Sequence, residues 1–193
     1  MNDNPSRIHV TGGPGAGKSW LAQRLSERLG LPYHDLDGIA VELQKELPKP
    51  LDFDELMARR LPLSARLAAE EAWISDGSNL EACRPFYDRA EVIVYLTCPW
   101  RVAAYRIPVR HAKRSLAGNN RFPGLMRLYR FWRWSRRYYA NRNPYGVDVF
   151  GTPTTIRFHE EALRPYEDKL VVCRSKAEIA AVEQHLIAEA SPS

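Results

Sequence analysis

The amino-acid sequence predicts an α/β fold in which helices cover both faces of an open, parallel sheet. Short strand-like runs alternate with helix-like segments, and this alternation is typical of strands that pair in parallel through helical crossovers. The first run leads into a glycine-rich turn and two others end at aspartates. Ligands of such sheets bind at the carboxyl ends of the strands, so we expect the functional residues at that edge.

The strand signals are short apolar runs that stop at glycine, proline or aspartate. The clearest is Val92–Leu96, a continuous apolar run with a stop signal at Pro99. The first run is less uniform, because His9 stands between Ile8 and Val10. The predicted strands cover residues 7–10, 31–34, 72–75, 92–96 and 170–173.

The helix signals are apolar residues at helical spacing between capping and stop residues. After Lys18, leucines recur at every fourth position until Gly30. Asp52 precedes another pattern, in which Pro62 predicts a kink, and residues 48–50 form a break before it. The predicted helices cover residues 18–29, 39–47, 53–67, 100–116, 124–139 and 177–188, and residues 191–193 are expected to be a frayed tail.

The most informative segment is Gly12–Ser19, which has the Gly-x-x-x-x-Gly-Lys-Ser pattern of a Walker A phosphate loop. Glycines let successive backbone N–H groups face an anion. Lys18 is expected to reach the β- and γ-phosphates of ATP or GTP, and the Ser19 hydroxyl to bind Mg²⁺. The alternative is a structural glycine turn. The predicted phosphate-binding residues are Gly12, Gly13, Pro14, Gly15, Ala16, Gly17, Lys18 and Ser19.

The net charge of +5 is unevenly distributed along the chain. No acidic residue occurs between Glu91 and Asp148, and the rest of the chain carries 16 basic against 23 acidic residues. We therefore expect the segment between these two acids to meet anions. Its twelve basic residues are Arg101, Arg106, Arg110, Lys113, Arg114, Arg121, Arg127, Arg130, Arg133, Arg136, Arg137 and Arg142.

Cysteine usage and hydropathy favour a cytoplasmic protein. Cys83, Cys98 and Cys173 are far apart and match no metal-binding spacing, which predicts reduced and mostly buried thiols. No apolar run approaches the roughly 18 residues of a membrane span, and the polar first seven residues do not resemble a secretory signal. No membrane partner is expected.

Acidic side chains at predicted strand ends are candidates for phosphoryl-transfer chemistry, which needs metal ligands and a positioned acceptor. Asp76 is the candidate Mg²⁺ ligand together with Ser19, and a turn cap is its structural alternative. Asp37 and Asp35 are both candidates to orient an acceptor hydroxyl or to serve as its base, the alternative being two solvated loop acids.

The basic segment predicts a lid. Arg106, Arg110 and Arg114 are four residues apart and share one helical face unless Pro108 disrupts it, and such arginines would neutralise charge in the transition state. From residue 127 to 142, arginines interleave with aromatic residues. That composition also suits nucleic acid, but we favour an amphipathic lid helix packed on the sheet.

These motifs, in this order, resemble those of adenylate-kinase-like P-loop proteins. The resemblance depends on four segments: the phosphate loop, Leu36-Asp37, the run Trp73-Ile74-Ser75-Asp76-Gly77 and residues 92–99. Within that group the chain is most similar to the bacterial DNA topology modulation protein family, over residues 8–142 and again near Arg174. The resemblance implies a three-layer fold with five parallel strands, a substrate lobe at about residues 38–71 and an arginine-bearing lid at about 101–142.

The resemblance also implies roles for individual residues. Arg110 and Arg114 match lid arginines, Asp37 and Asp76 match acids at the site, and Arg174 would lie near the adenine. Trp20 stands where related kinases have a hydroxyl residue touching the α-phosphate, and Ser78-Asn79 replaces the Phe-Pro-Arg of true adenylate kinases, so AMP is in doubt as the acceptor.

The sequence therefore predicts a single-domain ATP- and Mg²⁺-dependent kinase of a small molecule or nucleotide. Lys18, Asp37, Arg110 and Arg114 are its expected catalytic residues. Two alternatives stay open: a nucleotide-regulated protein that binds nucleic acid, and a relative that binds ATP without transferring phosphate. The acceptor, the preference for ATP over GTP and the oligomeric state are not predicted.

Overall fold

The computed structural model describes residues 5–45, 52–141 and 153–190. Its sheet has five parallel strands in the order β2-β3-β1-β4-β5, so the predicted fold class is confirmed. The first strand is longer than predicted, and the second and third each end one residue later. The strands are β1 (Arg7–Gly12), β2 (Tyr33–Asp35), β3 (Trp73–Asp76), β4 (Val92–Leu96) and β5 (Leu170–Cys173).

Eight α-helices lie within the described residues, and two of them, α4 and α7, were not predicted. Asn79 and Thr155 cap these two helices by accepting hydrogen bonds from backbone N–H groups three residues later. A 3₁₀ helix (Arg164–Lys169) follows α7. The helices are α1 (Lys18–Leu29), α2 (Leu36–Lys45), α3 (Phe53–Ala68), α4 (Leu80–Arg89), α5 (Trp100–Leu116), α6 (Leu125–Ala140), α7 (Ile156–Leu163) and α8 (Lys176–Ala190).

The prolines within two helices do not end them, and one of these helices begins with a capping box. Asp52 and Glu55 form the reciprocal capping box at the start of α3, and the helix continues past Pro62. Helix α5 likewise continues past Pro108. The predicted break at residues 48–50, Arg142 and the predicted tail lie outside the described residues.

The strands alternate their side chains between two apolar clusters, one on each face of the sheet. On one face, Ile8 and Val10 of β1 are fully buried with Leu21 and Leu25 of α1 and Leu186 of α8. The other face packs Trp73, Ile93 and Tyr95 against α4 and α7 through Phe86 and Leu163. Burial on both faces is what parallel strands require, and it accounts for the three layers.

Helix α2 begins three residues earlier than predicted, which corrects the placement of Asp37. The strand β2 ends at Asp35, and Asp37 lies in the first turn of α2 rather than at the strand end. The Asp35 carboxylate accepts a 2.7 Å hydrogen bond from the backbone N–H of Gly38. That bond ties the strand end to the helix start and allows the early helix. The substrate lobe at 38–71 and the lid at 101–142 stay predictions.

The cysteines agree with the expectation of free, mostly buried thiols. All three cysteines are free, with Cys83 and Cys173 buried and Cys98 half-buried. Among the helices of the described residues, none combines the length and apolar character that a membrane crossing needs.

Candidate functional site

The turn between β1 and α1 has backbone geometry that only glycine adopts readily. Gly12, Gly15 and Gly17 have φ angles of +144°, +78° and +113°, which lie in the region that other residues rarely occupy. A Cβ atom at Gly12 would also lie 2.1 Å from the backbone oxygen of Leu96. The glycines therefore shape a tight loop against β4.

The N-terminus of α1 suits an anion. Gly17 caps the helix without any side-chain hydrogen bond, and the first turn contains no acidic residue, so the partial positive charge of the helix end is not neutralised. Lys18 folds back toward the loop, with Nζ 3.5 Å from the Gly13 oxygen. The residues present therefore fit a phosphate chain.

Asp76 lies fully buried at the end of β3, beside the loop. Its Oδ2 accepts a 2.8 Å hydrogen bond from Ser19 Oγ, and its Oδ1 accepts one from the hydroxyl of Tyr33. Burial, followed by the charge of Asp37, raises the pKa of Asp76 to about 6. The Asp76 carboxylate thus lacks enough positive charge around it and lies next to the Ser19 hydroxyl. These two groups together provide oxygen donors that fit Mg²⁺.

A Mg²⁺ ion here would depend on oxygen atoms from outside the protein. Within the described residues, no group of three or more His, Cys, Asp or Glu side chains is arranged to hold a metal. Mg²⁺ commonly binds through one or two protein oxygens together with water and substrate phosphates. Ser19 and Asp76 match that pattern.

The other two acids near the loop have different partners. Asp37 is half-buried, and its carboxylate accepts two long hydrogen bonds, both 3.4 Å, from the backbone N–H and hydroxyl of Ser78. Asp35 instead pairs with Arg121 at 2.7 Å while also holding Gly38. Asp35 makes two short contacts, one of them an ion pair, whereas the two hydrogen bonds of Asp37 are long. Asp37 is therefore the better placed of the two to orient an acceptor.

A cavity of about 630 Å³ is lined by the loop and by Asp35 and Asp37, whereas the fully buried Asp76 is not part of its lining. The phosphate loop with Lys18 and Ser19 lines one wall, and Asp37 and Ser78 line another. Helix α6 adds the aromatic side chains of Phe131 and Trp134 to a third wall. The basic side chains on that wall come from the segment predicted to meet anions, namely Arg110, Arg114, Arg121, Arg127 and Arg130.

The predicted arginine face of α5 divides into two roles. Arg106 donates a 2.9 Å hydrogen bond to the carbonyl oxygen of Ala16 and so braces the outside of the loop. Arg110 and Arg114 line the cavity instead. Partial loss of water around Arg110 and the nearby charge of Arg114 lower the pKa of Arg110. Closely spaced guanidinium groups of this kind favour an anionic ligand.

Helix α6 also contacts the loop. The Tyr139 hydroxyl donates a 2.9 Å hydrogen bond to the Pro14 oxygen. The Tyr138 ring lies against Gly13, where an added Cβ would be 2.5 Å from Tyr138 Cε1. Helix α6 thus supports the loop that lines the cavity.

Two residues predicted to bind nucleotide lie away from the cavity lining. Trp20 is 58% exposed, and the guanidinium carbon of Arg24 lies 5.5 Å from its ring centroid. Arg174 is exposed beyond β5, and its backbone N–H donates to Glu178. Their contact with a base therefore stays a prediction.

Sequence reasoning missed several residues of the site. Tyr33 was not expected to bind Asp76, and the pairing of Arg121 with Asp35 was not expected either. His159 reaches the cavity from α7, a helix that was not predicted. A signal for α7 was present, because Thr155 begins a capping pattern with Ile156, His159 and Leu163 at helical spacing.

Comparison with known proteins gives one curated relative and several solved structures. No family model matches the chain. The relative, described as "Putative adenylate kinase" from Thermococcus onnurineus (strain NA1), is 33% identical over 121 residues. The match spans 58% of this chain and 60% of the relative, which is less than two thirds of the relative's length.

The solved structures show the fold. Shikimate kinase from Acinetobacter baumannii, in complex with shikimate, matches with a TM-score of 0.56 at 18% identity, over 96% of this chain and 92% of that chain. A protein described as a putative kinase from Chloroflexus aurantiacus J-10-fl has a TM-score of 0.51 at 16% identity, over 97% and 99%. The chain has a P-loop kinase fold. The narrower resemblance to the DNA topology modulation family stays a prediction.

Proposed function

We propose that this protein is a Mg²⁺-dependent phosphotransferase that transfers the γ-phosphoryl group of ATP to a small molecule or nucleotide. One observation carries the proposal. Lys18 and Ser19 on one side, and Asp37 with Arg110 and Arg114 on the other, line a single cavity of about 630 Å³. A donor loop and a candidate acceptor site thus line one shared cleft, and phosphoryl transfer requires the two reactants to be held next to each other.

The donor half consists of the loop and the end of β3. Backbone N–H groups of the loop and Nζ of Lys18 would bind the phosphates. Ser19 and Asp76 would hold Mg²⁺, which when bound supplies positive charge to the phosphate oxygens. Tyr33 keeps one oxygen of Asp76 occupied, so the carboxylate has a fixed orientation toward Ser19.

The acceptor half is built around Asp37. Its carboxylate would orient the acceptor hydroxyl and take its proton as the hydroxyl oxygen bonds to phosphorus, while the electron pair of the broken P–O bond stays with ADP. Ser78 holds Asp37 in place. Arg110 and Arg114 would stabilise the negative charge on the phosphoryl group during transfer.

The comparisons support this class of reaction but leave the acceptor open. The relative is named an adenylate kinase, and the Acinetobacter structure is a shikimate kinase. One name implies a nucleotide acceptor and the other a small hydroxy acid. The acceptor is therefore proposed only as a small molecule or nucleotide.

An ATP-consumption screen tests the proposal. The purified protein would be incubated with Mg-ATP and with nucleoside monophosphates, shikimate-like acids or sugars, and phosphorylated product would be identified by mass spectrometry. We expect one acceptor class to accelerate ADP formation, and Lys18→Ala to reduce it at least a hundredfold, as losses of phosphate contacts typically do.

The matched control for that screen is Lys113→Ala. Lys113 is an exposed lysine on α5 and does not line the cavity, so its removal should leave turnover unchanged. Unaltered ATP binding and turnover in the Lys18→Ala protein would contradict the proposal.

Nucleic-acid binding is retained as a second candidate because of one observation. Arg133, Arg136 and Arg137 on α6 are exposed and do not line the cavity, and Tyr129 is exposed beside Arg133. These side chains are free to meet a phosphate backbone. Ligand binding in the cavity therefore does not explain why these three outward positions of α6 are basic.

A further inference from the structure

We infer that His159 is a positioning residue that seats the lid helix α6 on the phosphate loop through Tyr138. Its effect on catalysis rests on the proposed function, but the seating itself is measurable without any turnover. His159 comes from α7, which contributes no residue to the donor and acceptor roles assigned above.

His159 joins two elements that flank the loop. Its Nδ1 lies 2.9 Å from the Tyr138 hydroxyl on α6, and its Nε2 lies 3.0 Å from Thr11 Oγ1 on β1. Thr11 is the residue directly before Gly12. All three side chains are buried, with 2% or less of their surface exposed. Water therefore cannot readily replace either hydrogen bond.

One assignment satisfies every donor and acceptor in this chain of hydrogen bonds. Thr11 has a single hydroxyl hydrogen, and it donates that hydrogen to the Gly77 carbonyl oxygen, 2.9 Å away. His159 must then donate from Nε2 to Thr11 and accept at Nδ1 from the Tyr138 hydroxyl. Tyr87, at 3.1 Å, donates to the remaining lone pair of Thr11.

The environment of His159 keeps its imidazole neutral, as this assignment requires. Burial, together with the charge of Lys18, lowers the pKa of His159 to about 3. The imidazole is therefore neutral near pH 7, with one nitrogen free to accept. A neutral imidazole of fixed tautomer orients the Tyr138 hydroxyl, whereas a protonated ring could not accept from it.

The orientation of Tyr138 matters because its ring supports Gly13. The same helix places Arg127 and Arg130 in the cavity. The position of Tyr138 therefore sets the distance between the donor loop and the lid arginines. A shift of about 1 Å in such an arrangement can cost roughly a hundredfold in rate.

His9 provides a matched comparison within the same core. It is also fully buried, and burial lowers its pKa to about 3 as well. Its Nδ1 bonds to Ser75 at 2.8 Å, which links β1 to β3 and not to α6. Loss of the His9 imidazole should weaken the core without moving the lid helix.

Cys98 reports the seating of α6 directly. Its Sγ lies 3.6 Å from the Tyr139 hydroxyl, and it is half-buried, whereas Cys83 and Cys173 are buried. When α6 separates from the loop, Cys98 gains access to a thiol reagent. The labelling rate with a chromogenic disulfide therefore measures the lid position, and Cys98→Ser identifies the signal.

The experiment compares folded variants below their melting temperatures. We expect His159→Phe and Tyr138→Phe each to raise the Cys98 labelling rate about tenfold, the effect of one lost buried hydrogen bond. The double variant should label no faster than His159→Phe alone, because both changes break one link. His159→Gln should restore slow labelling, since its amide offers one donor and one acceptor.

Several results would overturn the inference. Wild-type labelling in folded Tyr138→Phe protein would do so, even if His159→Phe does not fold. Equal acceleration by His9→Phe would show a general loss of core packing instead. In a kinase assay, the His159→Phe variant should lose kcat with little change in the ATP KM. Absence of all kinase activity would contradict the proposed function and leave the labelling result standing.

Discussion

Ser19 donates a 2.8 Å hydrogen bond to Asp76, which links the last residue of the phosphate loop to the end of a strand 57 positions later in the chain. The bond brings the hydroxyl and carboxylate within reach of one metal ion. Both hydrogen bonds to the buried Asp76 carboxylate come from neutral hydroxyls, those of Ser19 and Tyr33, and the nearby charge of Lys18 does not offset the effect of burial. The candidate metal site is therefore also a source of instability.

Replacing Asp76 with asparagine should stabilise the protein while abolishing turnover. Burial raises the pKa of Asp76 from 3.8 to about 6, so the ionised form is disfavoured in the folded state. At about 1.4 kcal/mol per pKa unit, Asp76→Asn should increase the free energy of unfolding by up to about 3 kcal/mol at pH 7.5, measured by urea denaturation.

The pH dependence of this gain has a definite sign. Because the pKa of Asp76 is higher in the folded state, protonation of this residue stabilises the folded protein fully at pH values below the pKa of the unfolded state. That contribution is lost as pH rises through about 6. The advantage of Asp76→Asn over the parent should therefore shrink as pH falls from about 6 to 4. Asparagine can still accept from Tyr33, so a large loss of stability at pH 7.5 would contradict this account.

Adding a methyl group at Gly13 should displace α6 without unfolding the protein. The φ angle of Gly13 is not in the positive region, so the cost is steric: the new atom would lie 2.5 Å from Tyr138 and 2.8 Å from the Tyr139 hydroxyl. Gly13→Ala should cost about 1–3 kcal/mol in unfolding free energy and accelerate Cys98 labelling.

Gly118→Ala is the control for this change. Gly118 has no atom within 4 Å of an added Cβ, although its φ of +69° imposes some backbone strain. It should therefore lower the melting temperature without altering the labelling rate. Slow labelling of Gly13→Ala would show that the contacts of the two tyrosines do not determine the position of α6.

Removing Arg121 should affect catalysis more than stability. The Arg121 and Asp35 side chains are 37% and 25% exposed, and ion pairs at such positions contribute about 0–1 kcal/mol. Arg121→Ala should therefore change unfolding free energy by less than about 1 kcal/mol. We expect it to raise the acceptor KM severalfold, because the loop between α5 and α6 loses its tie to β2.

Asp35→Ala should lower the free energy of unfolding more than Arg121→Ala does. It removes the same ion pair and also the hydrogen bond to the Gly38 N–H at the start of α2, for a further loss of about 1 kcal/mol. Chemical denaturation of both variants measures the difference. Equal destabilisation by the two changes would argue against a role for Asp35 in starting α2.

The outward arginines of α6 distinguish the two candidate functions. Reversing the charge of Arg133, Arg136 and Arg137 should leave ATP turnover intact, because none of them lines the cavity. If the protein binds nucleic acid, parental binding should weaken steeply with salt and the triple variant should lose it. Fluorescence anisotropy with a labelled oligonucleotide from 50 to about 200 mM salt decides this.

The sheet and the loop shape are predictable because they depend on local patterns. Apolar runs encode buried strands, and three glycines of the loop, Gly12, Gly15 and Gly17, encode positive φ angles. The link from Tyr33 to Asp76 is different. It depends on β2 pairing beside β3, and alternation of strands and helices does not determine strand order.

The contacts by which α6 supports the loop also cannot be predicted from the sequence. The basic and aromatic residues of α6 predict an amphipathic helix, but which tyrosine reaches Gly13 depends on how α6 crosses the strand ends. The burial of His159 follows from the same packing. Long-range contacts between elements carry this information, and no spacing within one element records it.

Gly12 changes how the phosphate-loop signature should be used when sequences are compared. Its hydrogen faces the backbone of Leu96, where even one carbon atom would lie 2.1 Å from an oxygen. A chain that lost nucleotide binding would still need this glycine to bring β1 and β4 together. Retention of the first glycine in a distant homologue therefore reports inheritance of the sheet. The identities at positions 18, 19 and 76 are the ones that would distinguish the proposed donor site from a descendant that has kept the architecture alone.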